Sequence, residues 1–430
     1  MSTSSLSIAV SALKAHSYAI DTTSHNIANA STPGYRRERV DLRAAYPRMT
    51  GIGMMGAGVD PQRVSRAVDR LADERVRRAG STLQSFTARN EVASLAEDVF
   101  GEPDRGITKS MSGLFDSFAT LATAPTDSAS RSQVVSSLQD FASRVNEIRG
   151  GLEGVTADAT VRLRSEIDTA NQIAKRVAEI NTYARTPGGL PADLADELDK
   201  SLDTLATSVG AIAETQSDGR VRVTINGRAL VDSDRAIPMS VPDTPPGQVD
   251  HPTGPLTLGG TAGGLQTAIQ GDLGDYRSRL DTFVDQITTE MNDLHASGFT
   301  TGGVQGGALF DQVDGRVQVL ISDPADLAAS KAADAPLDAS IADQMAQIRT
   351  GTGGKYRDVV SFVANSVASL GRSNDTAQAI SDSAGALRDS QIGVNMDEEL
   401  TNMMAEQRAY QAAARVISVT DEMLDTLIRM

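Results

Sequence analysis

Apolar residues repeat every seven positions at both ends of this 430-residue chain. A strict seven-residue period stays on one side of a helix only where helices wrap around one another. We therefore predict that the two terminal helices pair with each other, with copies of the chain, or with both. The predicted assembly interface consists of Leu6, Val10, Leu13, Ile20, Ile27, Met396, Leu400, Met403, Tyr410, Ile417, Leu424 and Ile428.

Each seam needs a second row of residues to complete the alternating three-four spacing of a coiled coil. At the C-terminal end we assign this companion row to Leu400, Gln407, Ala414, Asp421 and Ile428. At the N-terminal end a weaker companion row consists of Val10, Ser17 and Ser24. This geometry favours assembly over catalysis.

Composition and charge argue against several classes of protein. With no cysteine, the chain has no disulfide, no thiolate nucleophile and no cysteine-rich zinc site. Residues 81–430 carry a net charge of −21, and this acidic bulk argues against nucleic acid as a partner. No apolar run approaches the roughly 20 residues that span a membrane, so we expect no membrane partner. The N-terminus lacks the basic region of an ordinary secretory signal.

The hydrophobic pattern predicts a mainly α fold with a small β portion. The N- and C-terminal helices pair as a coiled coil, an elongated helical rod forms the body, and a small β unit is inserted into it. The first helix is predicted from about Ser5 to Ala30, and the last begins at the capping residue Asn395. Glycine and proline, among them Gly150, are expected to divide the rod into separate helices.

Alternating apolar residues and an Asn226-Gly227 pair predict a tight hairpin within the β unit. A helix from about Leu273 to Ala296 is predicted to follow it. The resulting domains are an axial coiled-coil domain of residues 1–58 and 394–430, a helical rod domain of 59–208, 266–300 and 340–393, and a small β-containing outer domain of 209–265 and 301–339. Residues 35–58 are predicted to form an extended arm within the first.

No motif in the chain predicts enzyme chemistry. Gly51, Gly53 and Gly56 have the spacing of a dinucleotide-binding loop, but no strand is predicted before them and Pro61 follows. Residues 353–355 lack the first glycine and the Ser/Thr of a phosphate-binding loop. The four histidines have no helical metal-ligand spacing. We therefore predict no catalytic residue, no cofactor and no metal site.

Two motifs at opposite ends of the chain resemble those of bacterial flagellar axial proteins. Residues 24–35 read Ser-His-Asn-Ile-Ala-Asn-Ala-Ser-Thr-Pro-Gly-Tyr, and residues 394–400 read Val-Asn-Met-Asp-Glu-Glu-Leu before a long final helix. Within that group, Tyr35 to Val40 and Asn395 to Glu399 resemble most the hook-associated protein 1 family. The family's motif turn corresponds here to Asn26, Asn29, Pro33, Gly34 and Tyr35.

The resemblance implies a structural role in the flagellum, as the adaptor that joins hook to filament and is required for filament assembly. It implies copies of the chain, hook protein and the second hook-filament junction protein as partners. It also implies type III export, a chaperone at the C-terminal helix and an extracellular location at the junction. A rod or hook component remains an alternative, as does a cytosolic coiled-coil scaffold. A nucleotide-binding enzyme remains only if the glycine arm binds cofactor, which Gly53→Val would test.

Overall fold

A computed structural model of the chain describes residues 2–32, 35–50, 53–101, 106–185, 190–313 and 315–429. The chain divides into a terminal unit, Met1–Val76 with Ile380–Met430, and a central unit, Arg77–Ala379. Long helices dominate and the strands form only small sheets, so the predicted fold class is confirmed. The three-part domain division proposed from the sequence stays a prediction.

Helices account for most of the described residues. In chain order they are α1 Ser2–Asn29, α2 Arg70–Phe100, α3 Ile107–Thr123, α4 Ser128–Tyr183, α5 Ala192–Val209, α6 Gly260–Thr267, α7 Leu273–Ala296, α8 Ser340–Gln347, α9 Tyr356–Ile392 and α10 Met396–Ile428. A π-helical turn, Ala268–Asp272, joins α6 to α7. The bounds predicted for the first helix, for α7 and for the last helix agree with the structure to within a few residues.

The strands form one four-stranded sheet and four two-stranded sheets within the described residues, all antiparallel. In chain order they are β1 Glu38–Ala44, β2 Arg48–Thr50, β3 Gly53–Met55, β4 Val59–Arg66, β5 Ile212–Thr215, β6 Val221–Ile225, β7 Arg228–Asp232, β8 Arg235–Ala236, β9 Asp250–His251, β10 Gly254–Pro255, β11 Phe310–Val313 and β12 Arg316–Val319. The four-stranded sheet has the order β5-β6-β7-β8, and the pairs are β1/β4, β2/β3, β9/β10 and β11/β12.

The segment predicted as an extended arm is a two-stranded ribbon in the terminal unit. β1 pairs with β4 from Glu38 opposite Arg66 to Ala44 opposite Val59, and the hairpin of β2 and β3 lies beyond it. Asp41 ties the two long strands together by accepting hydrogen bonds from Ser65 Oγ at 2.9 Å and Arg63 Nε at 3.2 Å. Those bonds lower the pKa of the Asp41 carboxyl. The sequence showed no strand periodicity here because both faces of the ribbon carry polar side chains.

The central unit is organised around α4, which runs for 56 residues. Asp127 caps its first turn by accepting a hydrogen bond from the Ser130 backbone N at 2.8 Å. The prediction that Gly150 interrupts this region is wrong, because α4 continues through it. An interior glycine costs only about 1 kcal/mol of helix stability. Burial of the apolar face of α4 against its neighbours offsets that cost. The buried residues of this face include Leu138, Phe141, Val145, Ile148 and Leu152.

The predicted Asn226-Gly227 hairpin is confirmed. Ile225 lies directly opposite Arg228, so the loop has two residues. Asn226 and Gly227 have φ angles of 47° and 79°, as a type I′ turn requires. On β6 the side chains of Val221 and its alternate neighbours are buried in the core, while those between them are only half-buried. This small sheet therefore shows the alternation from which it was predicted.

Asparagine side chains fasten the β elements to the long helices of the central unit. The side-chain amide of each of four asparagines forms two hydrogen bonds with the backbone of one residue, in the way that a neighbouring strand does. Nδ2 donates to the backbone carbonyl and Oδ1 accepts from the backbone N–H, at 2.8–2.9 Å. The pairs are Asn146 with Val317, Asn171 with Met239, Asn181 with Val221, and Asn292 with Phe310. These bonds satisfy backbone groups that strand pairing leaves open and that would otherwise be buried without partners.

One histidine of the central unit is fully buried and held neutral. His295 Nε2 accepts a hydrogen bond from the Ala328 backbone N at 2.8 Å, and its Nδ1 lies 2.7 Å from the Gly307 carbonyl oxygen. Because Nε2 accepts, the ring proton is on Nδ1 and is donated to Gly307. Burial lowers the pKa of His295, since the protonated ring would lose solvation and the bond from Ala328.

Candidate assembly interface

The terminal helices α1 and α10 pack against each other, as the matching apolar repeats predicted. Their contacts show that they run antiparallel, because His16 meets Glu406 whereas Asn26, further along α1, meets Glu399, earlier on α10. The predicted seam residues of α10 are half-buried on this side: Met403, Tyr410, Ile417 and Leu424. Those of α1 are half-buried too: Leu6, Leu13, Ile20 and Ile27.

The second row of the seam differs from the row chosen from the sequence. On α10 the buried or half-buried companions are Glu399, Glu406, Ala413 and Thr420, one position before the predicted row. Leu400 and Ile428 lie 46% and 81% exposed instead. On α1 the companions are Ala9, His16 and Thr23, again one position before the predicted row, and Val10 is exposed. Met396, at the start of α10, is also exposed.

The physical reason is that hydrophobicity alone does not decide which row faces the partner helix. Small residues such as Ala9 and Ala413 let two helices approach closely. Two of the polar companions are paired with each other across the seam, since His16 Nδ1 lies 2.6 Å from Glu406 Oε2. A polar residue in a coiled-coil seam lowers stability but fixes the register of the helices. The larger apolar residues of the predicted row are consequently left on the outside.

A cluster of hydrogen bonds, which we call the clasp, joins the two helices to the ribbon. It consists of Asn26, Tyr35, Arg37, Glu38 and Glu399. Asn26 is 1% exposed and its amide is fully used. Nδ2 donates to the Glu38 carbonyl at 2.8 Å and to Glu399 Oε2 at 2.9 Å. Oδ1 accepts from Tyr35 Oη and from the Glu38 backbone N, both at 2.9 Å.

The clasp also neutralises a buried carboxylate. Glu399 is 2% exposed, and its second oxygen accepts a hydrogen bond from Arg37 Nε at 2.7 Å. A buried charge that lacks a partner is strongly destabilising. The Glu399 carboxylate has two partners, Asn26 and Arg37. Beside it, Arg36 and Asp73 form a buried ion pair at 2.9 Å. The clasp thus brings together residues of the two motifs that lie at opposite ends of the sequence.

Of the predicted motif-turn residues, the structure brings Asn26 and Tyr35 into the clasp. Asn29 lies outside it and donates only to the His25 carbonyl of its own helix at 3.0 Å. Pro33 and Gly34 lie outside the described residues. Arg37 and Glu399 lie within the two sequence motifs but are not among the residues predicted for the interface. The signal that could have found Glu399 is its place in the three-four spacing, four residues before Met403.

The glycines considered from the sequence for a dinucleotide- or phosphate-binding loop lie in and after a short strand and in a 3₁₀ turn. Gly53 and Gly56 lie in and after β3, whereas Gly51 lies outside the described residues. Residues 353–355 form part of a 3₁₀ turn before α9. Among the described residues no three His, Asp or Glu side chains are grouped so that they could hold a metal ion. No helix among the residues that the structure describes has the length and apolar character needed to cross a membrane.

Three family models match separate parts of the chain. Residues 93–310, half of the chain, match the flagellar hook-associated protein FlgK helical domain. Residues 6–36 match the flagella basal body rod protein, and residues 384–430 match the flagellar basal body rod FlgEFG protein C-terminal region. The two rod models therefore cover the terminal helices, and the hook-associated model covers much of the central unit.

The proteins similar to this chain are also named as flagellar hook-associated or hook junction proteins. Flagellar hook-associated protein 1 of Bacillus subtilis strain 168 is 27% identical, and the alignment covers 97% of this chain and 96% of that protein. The protein of the same name from Salmonella typhimurium is 25% identical, over 70% of this chain and 58% of its own length. The hook junction protein FlgK from Burkholderia pseudomallei has a structure similar over 56% of this chain and 47% of its own, with 18% identity and a TM-score of 0.49.

Proposed function

The chain belongs to the FlgK family of flagellar hook-associated proteins, and we propose that it joins hook to filament through an axial layer built from its paired terminal helices. It is a structural component of the flagellum, in a family that is not a family of enzymes. The family match in the central unit favours this role over that of a rod or hook subunit. The rod models match only the terminal segments, which these groups share.

The observation that carries the proposal is the amount of apolar surface that the α1/α10 pair leaves uncovered. Each helix buries one side against the other, and α1 also packs on the ribbon. On α10 the exposed apolar residues lie on more than one other side: Met396, Leu400, Met404, Val416, Val419, Met423 and Ile428. Many exposed large apolar residues on one helix are typical of a surface that binds partners. A helical layer of neighbouring pairs would cover these residues.

The geometry of the pair supports assembly with copies of the chain through heterologous contacts, which propagate instead of closing as a dimer. The seam between α1 and α10 is already occupied within one copy. The twelve apolar residues predicted as the interface therefore serve two purposes in this proposal. Leu13, Ile20 and Ile417, among others, hold the pair together, and residues such as Leu400 and Ile428 contact neighbours.

The finer partners follow from family membership and stay proposals. We propose that the chain contacts hook protein on one side and the second hook-filament junction protein on the other. Before assembly, a type III export chaperone would cover the apolar surface of α10. Export in an unfolded state suits the terminal unit, because helices with little tertiary burial are marginally stable in water. The extracellular flagellum is then the place where the helices gain their neighbours.

A deletion strain tests this function. We expect cells without the chain to build hooks of normal length but to shed filament subunits into the medium. Re-expression should restore filaments, and immunogold against the chain should label isolated flagella only where hook meets filament. Cells that lack hooks altogether would indicate a rod or hook role. Normal filaments without the chain, or chain confined to the cytosol of export-competent cells, would overturn the proposal.

A further inference from the structure

The pairing of the terminal helices leaves one side of α1 exposed. The seam row of α1 faces α10, and the ribbon lies on a second side, where Ser11 Oγ accepts a hydrogen bond from the Val59 backbone N at 3.2 Å. On the remaining side, residues at the three- and four-residue steps of one helix face are all exposed. This free side of α1 consists of Val10, Lys14, Tyr18, Asp21, His25 and Ala28.

The free side of α1 combines apolar surface with charge. Val10 and Tyr18 are 39% and 54% exposed. Lys14 and Asp21 are the one lysine and the one aspartate of α1, and both lie on this side. They are two helical turns apart, so the opposite charges are separated by about 10.5 Å along the helix. Such a row is complementary to a partner whose charges have the same spacing and the opposite order.

The outer side of α10, away from its seam row, has that spacing. This outer side consists of Arg408, Gln411, Arg415, Val419, Glu422 and Thr426, all of them exposed. Arg415 and Glu422 lie two turns apart, and Val419 between them is 53% exposed. Within the described part of the chain, no ion pair engages these two charged residues or Lys14 and Asp21. The four charges are therefore available to a partner.

The direction of the helices decides how these two sides meet. Within one copy α1 and α10 run antiparallel. Copies arranged around a common axis, with these helices along it, all keep the same direction. The α1 of one copy therefore meets the α10 of another in antiparallel orientation. In that orientation Lys14 lies opposite Glu422 when Asp21 lies opposite Arg415, so both charge pairs form at once.

We infer that the free side of α1 in one copy packs antiparallel on the outer side of α10 in a second copy, in the register set by the two charge pairs. The inference rests on the proposed function, which places copies side by side around the axis. Tyr18 then covers Val419. The occupant is a second copy, because the α1 of the same copy already packs on the opposite side of α10. The contact is heterologous, so it propagates from copy to copy.

The charges also determine the height of the neighbouring copy. Within one copy His16 lies beside Glu406, whereas the two charge pairs between copies place residue 16 beside residue 420 of the neighbour. This difference, roughly 14 residues, corresponds to a displacement of about 21 Å along the axis. Two copies at the same height would instead bring Lys14 opposite Arg408, where like charges repel. In the displaced register Arg408 lies opposite the uncharged Ala28.

Disulfide crosslinking of this cysteine-free chain tests the contact and its height. Flagella are isolated from cells expressing the full chain with Tyr18→Cys and Val419→Cys, oxidised, and examined for covalent multimers. The matched control pairs Tyr18→Cys with Met404→Cys. Met404 is 52% exposed on the same side of α10 but lies opposite Tyr18 only if the copies are level. Because a disulfide requires Cα atoms within about 7 Å, we expect at least tenfold more multimers from the first pair.

The crosslinks separate failure of this inference from failure of the proposed function. Equal yields from the two cysteine pairs, or a higher yield from the control, would overturn the inference alone. So would the lack of multimers from either pair in flagella that contain the chain. Absence of the unsubstituted chain from the junction would overturn the proposed function and the inference together.

A charge exchange provides the second arm. Asp21→Arg should lower the multimer yield of the first cysteine pair at least threefold, because it places like charges opposite each other at Arg415. Adding Arg415→Asp should restore the yield, whereas adding Arg408→Asp should not. Restoration by Arg408→Asp, or by neither change, would contradict the register.

Discussion

The clasp predicts that one asparagine controls the stability of the whole terminal unit. Asn26→Ala removes two donated and two accepted hydrogen bonds and leaves Glu399 with Arg37 as its remaining partner in the clasp. Each buried group left without a partner costs about 1–3 kcal/mol. If two of the four partners cannot reach water, the terminal unit loses roughly 2–6 kcal/mol of unfolding free energy. That is a large fraction of the stability of a small unit.

Asn29→Ala is the matched control, because Asn29 lies three residues further on the same helix and its amide bonds only to residues close in sequence. It donates to the His25 carbonyl at 3.0 Å and accepts from Thr32 Oγ1 at 3.3 Å. Surface changes of this kind stay within about 0.5 kcal/mol. The assay is limited proteolysis of the purified full chain, with cleavage inside α1 and α10 followed by mass spectrometry. Where opening is fast relative to cleavage, the cleavage rate reports the open population.

A loss of 2 kcal/mol raises the cleavage rate by about thirtyfold, up to the rate for an unfolded peptide. Cleavage inside α4 should not change, because α4 belongs to the central unit. Equal cleavage rates for Asn26→Ala and Asn29→Ala would contradict this role of the clasp. Cleavage of α1 in the unsubstituted chain as fast as in an unfolded peptide would contradict it too, since the clasp would then not form in solution.

Four further substitutions test other parts of the structure. Ile417→Asp places a charge in the α1/α10 seam, so we expect the chain to be exported but not incorporated, and normal filaments would contradict this. Gly151→Ala should destabilise the central unit by about 1–3 kcal/mol in urea unfolding, because its Cβ would lie 2.6 Å from Val99 Cγ1. Gly154→Ala, with no described atom within 4 Å, should instead stabilise it by up to about 1 kcal/mol. His295 has a lowered folded pKa, so its stabilising effect is complete above about pH 6.5 and is lost as pH falls below that value. Unfolding measured from pH 7.5 to 5 should therefore show a steeper acid loss in the unsubstituted chain than in His295→Gln, and parallel curves would contradict it.

Regular local patterns made much of the fold predictable from the sequence. The seven-residue rows of Leu13 and Ile417 predicted the paired terminal helices, and Asn226-Gly227 predicted the turn between β6 and β7. The capping role of Asn395 is also confirmed, since its Oδ1 accepts from the backbone N of Asp397 at 3.0 Å. In each case the local signal, a helical stripe, a turn pair or a cap, is carried by residues close together in the sequence.

The parts that the sequence did not predict depend on distant partners. The choice between Glu399 and Leu400 as the inward residue depends on Asn26 and Arg37, more than 360 positions away. The ribbon of β1 and β4 lacks alternation because neither of its faces is fully buried. The continuity of α4 through Gly150 depends on the burial of its apolar face. Local propensity alone could not decide any of these.

The central claim is that neighbouring subunits complete the packing of α1 and α10. Hydrogen exchange, compared between the purified chain and the same chain in isolated hook-filament junctions, tests it most directly. We predict that backbone amides of residues 6–27 and 400–428 exchange at least a hundredfold more slowly after assembly, which corresponds to about 2.7 kcal/mol of added protection. Those of α4 should change little. Protection of the terminal helices that is equally complete in the purified chain would contradict the account.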